Sequence, residues 1–224
     1  RILLREDIDD ELRSTVLLSL GWISQRTGKL EDALEHYRSF LDAFPHAASV
    51  PLVVYRMGEV FYRMKSFKQA AEQFRRVTRE YDYFPERELA LFWWSESLRA
   101  AGFFSQCREI ALEYLNLYPS GRLADYTFYG LGWSYRGEGN YGEAGRVFQR
   151  LIARYPGTYL ADEAFLLAGW SLHMDRNYDE AILVLESLAD KYPGSPWIER
   201  ARFLSNLGNY FLGRHRSAKR EFEA

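Results

Sequence analysis

Small and apolar residues recur along this chain at a fixed step of 37 residues. Residues 125–156 show the pattern most clearly, as two amphipathic helices separated by a glycine-containing turn. We call a set of residues spaced 37 apart a column. The three marker columns are Gly21, Gly58, Ser95, Gly132, Gly169 and Asn206 on the first helix; Leu30, Phe67, Phe104, Tyr141, Tyr178 and His215 at the start of the second helix; and Ala33, Ala70, Cys107, Ala144, Ala181 and Ala218 within it. Such a period predicts an all-α solenoid of antiparallel helical hairpins.

The small residues are expected to mark the closest approach of the two helices in a hairpin. Gly132 and Ala144 would leave room for the backbones to come together. A bulkier column faces the same way, four residues further on: Tyr37, Phe74, Ala111, Phe148, Leu185 and Phe222. Proline is expected to end the second helices at Pro45, Pro119, Pro156 and Pro193. The second repeat has Asp82 in that column, so we expect its junction to be looser.

The period divides the chain into six repeats that begin near residues 14, 51, 88, 125, 162 and 199, the last one truncated at residue 224. Residues 1–13 are an acidic lead-in, in which Asp9 or Asp10 could cap the first helix, or the tail of a missing upstream repeat. No linker or low-complexity tract interrupts residues 14–224, which predicts one solenoid domain. The chain opens without Met and stops within a predicted helix, so we expect a fragment that has lost any targeting signal.

The marker residues resemble the tetratricopeptide repeat. Gly132, Gly139, Tyr141, Ala144, Phe148 and Pro156 match the small, aromatic and helix-ending positions of that family. The resemblance covers residues 14–224, with 37 residues per repeat where the family has 34. It implies a right-handed superhelix in which the first helices line a concave groove for a protein or peptide segment.

The phrases YPSG, YPGT and YPGS, each followed by a new first helix, are similar to those of a bacterial subgroup of this family. That subgroup includes the lipoprotein of the outer-membrane β-barrel assembly machine and the periplasmic coordinator associated with Tol–Pal. The resemblance implies a non-enzymatic adaptor of envelope assembly, in the periplasm or at the inner face of the outer membrane of a Gram-negative bacterium.

Composition and motifs indicate no catalytic, metal or cofactor site. The net charge of −2 gives no basic stripe for nucleic acid, and no run of 18 apolar residues predicts a membrane span. The single cysteine, Cys107, lies in a small-residue column and excludes an internal disulfide. The GxGxxG pattern at residues 137–142 follows a helix rather than a strand, so we interpret it as a hairpin turn and not as a dinucleotide site. The histidines show no metal-binding spacing; they are His36, His46, His173 and His215.

The candidate binding site is a second stripe on the first helices, one residue away from the glycine column. Aromatic and charged residues dominate this stripe, which is the composition of interaction hot spots. We predict that it lines the partner-binding groove, with Trp133, Tyr129 and Arg136 at its centre. The predicted groove residues are Trp22, Tyr55, Glu59, Tyr62, Phe92, Glu96, Arg99, Tyr126, Tyr129, Trp133, Arg136, Trp170 and His173. An equally weighted interpretation is that these rings only fill gaps between adjacent first helices.

Other functions stay open from the sequence. The carboxylate clamp of chaperone-binding relatives is absent, because Leu18, Trp22, Tyr55 and Glu59 occupy its positions. Stacked Trp and Tyr rings would also suit a glycan- or peptidoglycan-binding module, although few hydrogen-bonding residues lie between them. A regulatory repeat domain of a larger enzyme is the second alternative. The sequence identifies neither the partner nor the oligomeric state.

Overall fold

The computed structural model describes residues 9–214, which contain eleven α-helices and no β-strand. The helices are α1 (Asp10–Arg26), α2 (Leu30–Ala43), α3 (Val50–Arg63), α4 (Phe67–Glu80), α5 (Arg87–Ala100), α6 (Phe104–Leu117), α7 (Ala124–Gly137), α8 (Tyr141–Arg154), α9 (Ala161–Met174), α10 (Tyr178–Lys191) and α11 (Ile198–Phe211). From α2 onward, helices of the same kind begin at a constant step of 37 residues, which confirms the all-α fold and its period. The predicted second helix of repeat six, with His215, Ala218 and Phe222, lies outside the described residues.

The first helix begins earlier than the other first helices. Asp9 is its N-cap, and the Asp9 carboxylate accepts a hydrogen bond from the backbone N–H of Glu11 at 3.4 Å. An N-cap of this kind satisfies one of the backbone donors that a helix start leaves unpaired. As a result α1 has 17 residues, while each later helix has 14. Part of the predicted lead-in is therefore helical.

The chain divides into two compact units, the first ending at Ala101 and the second beginning at Gly102. In the first unit each helix from α1 to α5 packs on the next, and α1 also contacts α3. In the second unit each helix from α6 to α11 packs on the next, and α9 also contacts α11. Each unit is therefore a series of helices that pack on their neighbours in chain order. The single domain over residues 14–224 stays a prediction.

A left-handed residue lies in the turn that follows each first helix. Glycine occupies this position four times, with φ between 75° and 83°, at Gly28, Gly102, Gly139 and Gly213. Lys65 and Arg176 hold the same column with φ of 59° and 64°. Glycine reaches this conformation without steric cost, whereas a side chain is strained there. Gly139 belongs to the GxGxxG pattern, so the pattern is a hairpin turn, as the sequence predicts.

The four glycines of the glycine column lie against an aromatic or leucine side chain of the second helix. A methyl group built on Gly132 would lie 2.6 Å from two atoms of the Phe148 ring. The equivalent neighbours are Tyr37 for Gly21, Phe74 for Gly58 and Leu185 for Gly169. The space beside Gly132 is therefore filled by Phe148, and the expected close approach of Gly132 and Ala144 stays a prediction. The larger side chain, one helical turn beyond the alanine, reaches across the hairpin and needs the space that glycine leaves.

The described second helices, α2, α4, α6, α8 and α10, end in the same column, two residues before the position of the predicted prolines. α4 ends there as well, at Glu80, although Asp82 replaces proline in its repeat. Proline is therefore not required for the helix to end. The looser junction stays a prediction.

The Tyr-Pro-Gly phrases join consecutive repeats of the second unit through side-chain hydrogen bonds. The Tyr155 hydroxyl donates to the carbonyl of Pro119 at 3.1 Å, and the Tyr192 hydroxyl donates to that of Pro156 at 2.8 Å. Two residues after the proline, a second hydroxyl donates to the carboxylate that opens the previous first helix. These pairs are Thr158 with Asp125 at 2.6 Å and Ser195 with Asp162 at 2.8 Å. The phrases thus have a structural role that the sequence alone does not show.

Candidate functional site

In the first unit, the predicted groove residues differ in burial. Tyr55 and Phe92 are buried, with 4% and 7% of their surface exposed, so the expectation that they face solvent is wrong. Their rings fill space inside the unit: Tyr55 lies 5.5 Å from the Phe74 ring and Phe92 lies 5.3 Å from the Trp93 ring, between centroids. Trp22 is exposed, with the Arg26 guanidinium 5.1 Å from its ring. The other four predicted residues are partly buried, and they are Glu59, Tyr62, Glu96 and Arg99.

A buried glutamine organises the polar groups of α1 and α3. The Gln25 side chain accepts a hydrogen bond from the Tyr37 hydroxyl at 2.8 Å and donates one to the Glu59 carboxylate at 3.0 Å. Arg56 pairs with the same Glu59 oxygen at 2.8 Å. Burial raises the pKa of Tyr37 to about 12, so its hydroxyl remains a donor at neutral pH. The Glu59 carboxylate therefore already has hydrogen-bond donors within the first unit.

A cavity of about 190 Å³ opens beside this network. It is lined by Gln25, Glu59, Tyr62, Arg63, Phe74 and Trp93. Tyr62 meets Trp93 edge to face at 5.0 Å between ring centroids. The Arg63 guanidinium donates to the backbone carbonyl of Gln25 at 2.5 Å. The aromatic walls of this cavity could accommodate one apolar side chain of a ligand.

Glu96 and Arg99, the remaining charged pair of the predicted groove in this unit, neutralise each other. The Arg99 guanidinium donates to both carboxylate oxygens of Glu96, with a shortest distance of 2.7 Å. A bidentate pair of this geometry is stronger than a single-point contact. Arg99 therefore has a carboxylate of its own in the free chain.

In the second unit, Trp133 is partly buried and lies at the edge of the hydrophobic core. It packs against a cluster of buried residues that includes Phe128, Leu131, Ala144 and Phe148. Tyr129 is also partly buried, with its ring 6.3 Å from Trp133 and 6.0 Å from Phe148. The Trp133 ring is therefore neither fully buried in the core nor fully exposed to solvent.

Arg136 lies among three aromatic rings. Its guanidinium carbon is 4.2 Å from the centroid of the Trp170 ring, 5.3 Å from that of Trp133 and 5.9 Å from that of Tyr141. One terminal nitrogen donates to the Ser171 hydroxyl at 2.8 Å, and Nε is buried without an acceptor. Burial lowers the pKa of Arg136 from its usual value. Contacts of this kind with indole faces are cation–π interactions.

A second arginine reaches the same indole from α11. The Arg200 guanidinium carbon lies 4.9 Å from the centroid of the Trp170 ring. Its charge also contributes to the lowered pKa of Arg136. Trp170 therefore has two guanidinium groups against one partly buried ring.

The other two predicted residues of the second unit have different environments. His173 is 8% exposed, so it is a packing residue and not a surface one, with Tyr178 at 5.1 Å and Phe211 at 5.8 Å between ring centroids. Its Nδ1 has no hydrogen-bond partner, and burial lowers its pKa. Tyr126 is partly buried and meets the exposed Tyr159 ring edge to face at 5.5 Å.

Sequence reasoning missed three residues that belong to these surfaces: Trp93, Arg63 and Arg200. A signal existed for Arg200, because it holds the column of Tyr126 two repeats later. Trp93 and Arg63 lie one residue beyond predicted groove residues, where the stripe drifts around the helix. Trp93 gives no periodic signal, and Arg63 shares its residue type only with Arg26 in its column.

Metal binding and membrane spanning each require a distinct feature of the chain. Among residues 9–214, no group of three or more His, Cys, Asp or Glu side chains is placed to hold a metal ion. None of the helices α1 to α11 has the length and apolar character to cross a membrane.

Comparison with known proteins identifies the repeat. The sequence matches the tetratricopeptide repeat over residues 129–196, and separately over residues 15–47 and 53–82. No curated protein matches the chain by sequence.

Solved structures share the fold at low sequence identity. The apo form of RapI aligns with a TM-score of 0.72 and 14% identity, over 97% of this chain and 65% of RapI, so the chain spans less than two thirds of that protein. MamA residues 41-end from Desulfovibrio magneticus RS-1 align with a TM-score of 0.66 and 14% identity, over 82% of this chain and 97% of MamA. A tetratricopeptide repeat protein from Parabacteroides merdae ATCC 43184 aligns with a TM-score of 0.61 and 19% identity, over 98% of this chain and 80% of that one.

Proposed function

We propose that this chain, which belongs to the tetratricopeptide repeat family, is a non-catalytic scaffold that binds a segment of another protein along the first helices of its second unit. Proteins of this family are generally scaffolds, which supports a binding role in general terms. The contact surface would have Trp133 at its centre, with Tyr129, Arg136 and Trp170 beside it. The segment would be extended or helical.

One observation carries this proposal: three aromatic rings, from α7, α8 and α9, converge on the arginine Arg136 and remain partly exposed. Arg136 lies within 6 Å of the centroids of Trp133, Tyr141 and Trp170, and none of these rings is fully buried. Tryptophan, tyrosine and arginine are the residues most enriched at the energetic centre of protein interfaces. A rigid cluster of them also loses little side-chain entropy on binding, because the rings already hold the guanidinium.

The proposal is tested by the replacement Trp133→Ala. Peptides are selected on the purified chain from a displayed random library, and their affinities are measured by isothermal titration calorimetry. Removal of a central indole should weaken binding by about 2 kcal/mol or more, the usual hot-spot threshold. Urea denaturation should show a smaller loss of folding stability. A variant that binds as well as the original chain would refute the central role of Trp133.

The matched control is Leu183→Ala, which removes an apolar side chain from the second helix α10. Leu183 is 66% exposed, so its loss should change neither folding nor peptide binding. If Trp133→Ala instead costs roughly 3–5 kcal/mol of folding stability, as truncation of a core aromatic does, the ring serves packing alone. The two readouts therefore separate a binding surface from inter-repeat core.

We also propose, on the similarity of the YPSG, YPGT and YPGS phrases alone, that the scaffold acts in assembly of a bacterial envelope, in the periplasm or at the inner face of the outer membrane. Fractionation of cells that express the full-length protein tests this. Recovery in the cytosolic fraction would refute it while leaving the binding function unaffected.

A further inference from the structure

Trp170 has an environment that no other indole of the second unit is shown to have. Two guanidinium groups, from Arg136 on α7 and Arg200 on α11, lie 4.2 Å and 4.9 Å from its ring centroid. Two like charges on one ring repel each other. A carboxylate bound to either guanidinium would offset this repulsion.

The chain itself contains the matched arrangement with an anion present. Glu96 and Arg99 occupy the same two columns in repeat three that Trp133 and Arg136 occupy in repeat four. In repeat three the carboxylate receives the guanidinium in a bidentate contact, with a shortest distance of 2.7 Å. In repeat four the carboxylate is replaced by an indole, and the arginine loses that partner.

Nothing in the described chain replaces the missing carboxylate. Within residues 9–214, neither Arg136 nor Arg200 forms an ion pair with an Asp or Glu side chain. Arg136 has the Ser171 hydroxyl as its hydrogen-bond acceptor, and its Nε is buried without one. A desolvated guanidinium with so few acceptors is stabilised when a carboxylate binds its outer nitrogens.

We propose that Arg136 and Arg200 bind aspartate or glutamate carboxylates of the partner segment, at the position where both contact Trp170. This inference rests on the proposed function and specifies its partner: an acidic segment with apolar residues that pack on Trp133 and Tyr129. The ring positions the two guanidiniums, and the carboxylates relieve the repulsion between them.

The test uses two synthetic peptides that differ only in charge, acetyl-(Leu-Glu)₃-amide and acetyl-(Leu-Gln)₃-amide. Their binding is followed by calorimetry and by the NMR signals of the arginine Nε–H and tryptophan Nε1–H groups. The acidic peptide should bind at least about tenfold more tightly, since a hydrogen bond to a charged group contributes about 1.5–3 kcal/mol. It should shift the Arg136 and Trp170 signals, and its affinity should fall as salt is raised.

Arg200→Gln is the diagnostic variant, and Arg202→Gln is its control. Both residues lie on α11 and both changes lower the net charge by one, but Arg202 is paired with Glu199 at 3.1 Å with its side chain 64% exposed. Arg200→Gln should weaken the acidic peptide about fivefold to tenfold and leave the glutamine peptide unchanged. Arg202→Gln should leave both unchanged. Equal losses in the two variants would mean a non-specific charge effect and would overturn the inference.

The remaining outcomes separate this inference from the proposed function. Equal binding of the two peptides at Trp133 would overturn carboxylate recognition while supporting the scaffold. If neither peptide shifts Arg136 or Trp170, the inference fails, and the proposed function is then decided by the Trp133→Ala comparison with selected peptides. Inorganic phosphate serves as a third probe, and a shift as large as that from the acidic peptide would show that any anion suffices.

Discussion

The packing of Gly132 against Phe148 gives the sharpest test of the hairpin geometry. In the replacement Gly132→Ala, the new methyl group would lie 2.6 Å from two atoms of the Phe148 ring and 2.9 Å from a third. Carbon atoms in contact are normally about 3.5–4.0 Å apart, so the ring would have to withdraw by about 1 Å. Phe148 has no exposed surface and is enclosed by the core of the second unit.

Two opposing effects determine the size of the loss. Overpacking of an enclosed site costs about 1–3 kcal/mol, and contact with three ring atoms favours the upper part of that range. Alanine is a better helix former than glycine, which offsets about 1 kcal/mol within a helix. We therefore expect Gly132→Ala to lower the free energy of unfolding by about 1–2 kcal/mol.

A second background makes the sign of the effect reverse. Phe148→Val removes the ring atoms that the methyl group would meet, so adding Gly132→Ala to it should raise stability by up to about 1 kcal/mol. Urea denaturation followed by circular dichroism gives the free energies, and hydrogen exchange of the amides in α7 and α8 assigns the change to this hairpin. Gly157→Ala is the control, because a methyl group there meets no atom within 4 Å. A stabilising Gly132→Ala in the original chain would refute the close approach.

Three further predictions test a turn, a junction and a buried base. Arg176→Gly should raise the free energy of unfolding by about 1 kcal/mol in urea denaturation, because glycine removes the strain of a left-handed residue; a loss would refute this. Tyr192→Phe should lower stability by about 0.5–1.5 kcal/mol in the same assay, since the carbonyl of Pro156 loses its donor, whereas Tyr159→Phe should be neutral because Tyr159 is 71% exposed. Burial lowers the pKa of His173, so the neutral imidazole stabilises the fold fully above the unfolded pKa of about 6.5, and this stabilisation is lost as the pH falls through the folded pKa. The melting temperature of His173→Phe should therefore fall less between about pH 7.5 and pH 5.5 than that of the original chain. An equal fall in the two proteins would contradict this.

The repeat architecture could be predicted from the sequence because it rests on local requirements. Each hairpin needs a small residue where its helices meet and a residue able to adopt positive φ at its turn. Both requirements recur at the same positions of successive repeats. The period is therefore visible even though Lys65 and Arg176 replace glycine in two of the turns. The turn interpretation of the GxGxxG pattern follows from the same regularity.

The contacts of individual side chains could not be predicted in the same way. The columns correctly placed Gly132 at a close approach, but the side chain that fills the space there is Phe148. The length of the Phe148 side chain, and not the position of its backbone, decides this contact. Likewise, the stripe that contains Tyr55, Phe92 and Trp133 is uniform in spacing but not in burial. Tyr55 and Phe92 are enclosed by neighbouring aromatic rings, whereas Trp133 remains partly exposed. Burial depends on residues of other helices, which the period does not specify.

A comparison within one column shows how a neighbouring residue decides whether an arginine is paired within the chain. Arg99, Arg136 and His173 are spaced 37 residues apart, so the fold places them equivalently on their first helices. Arg99 pairs with Glu96, three residues earlier, whereas Arg136 stacks on Trp133 at the same spacing. The repeat therefore fixes where a side chain lies, and the residue three positions earlier decides whether its charge is satisfied internally. Under the proposed function, an acid at that position would close a repeat to an acidic ligand, and an indole would leave the repeat open to it. Under the proposed function, Trp133→Glu should give Arg136 an internal carboxylate and weaken the binding of acetyl-(Leu-Glu)₃-amide, as measured by calorimetry.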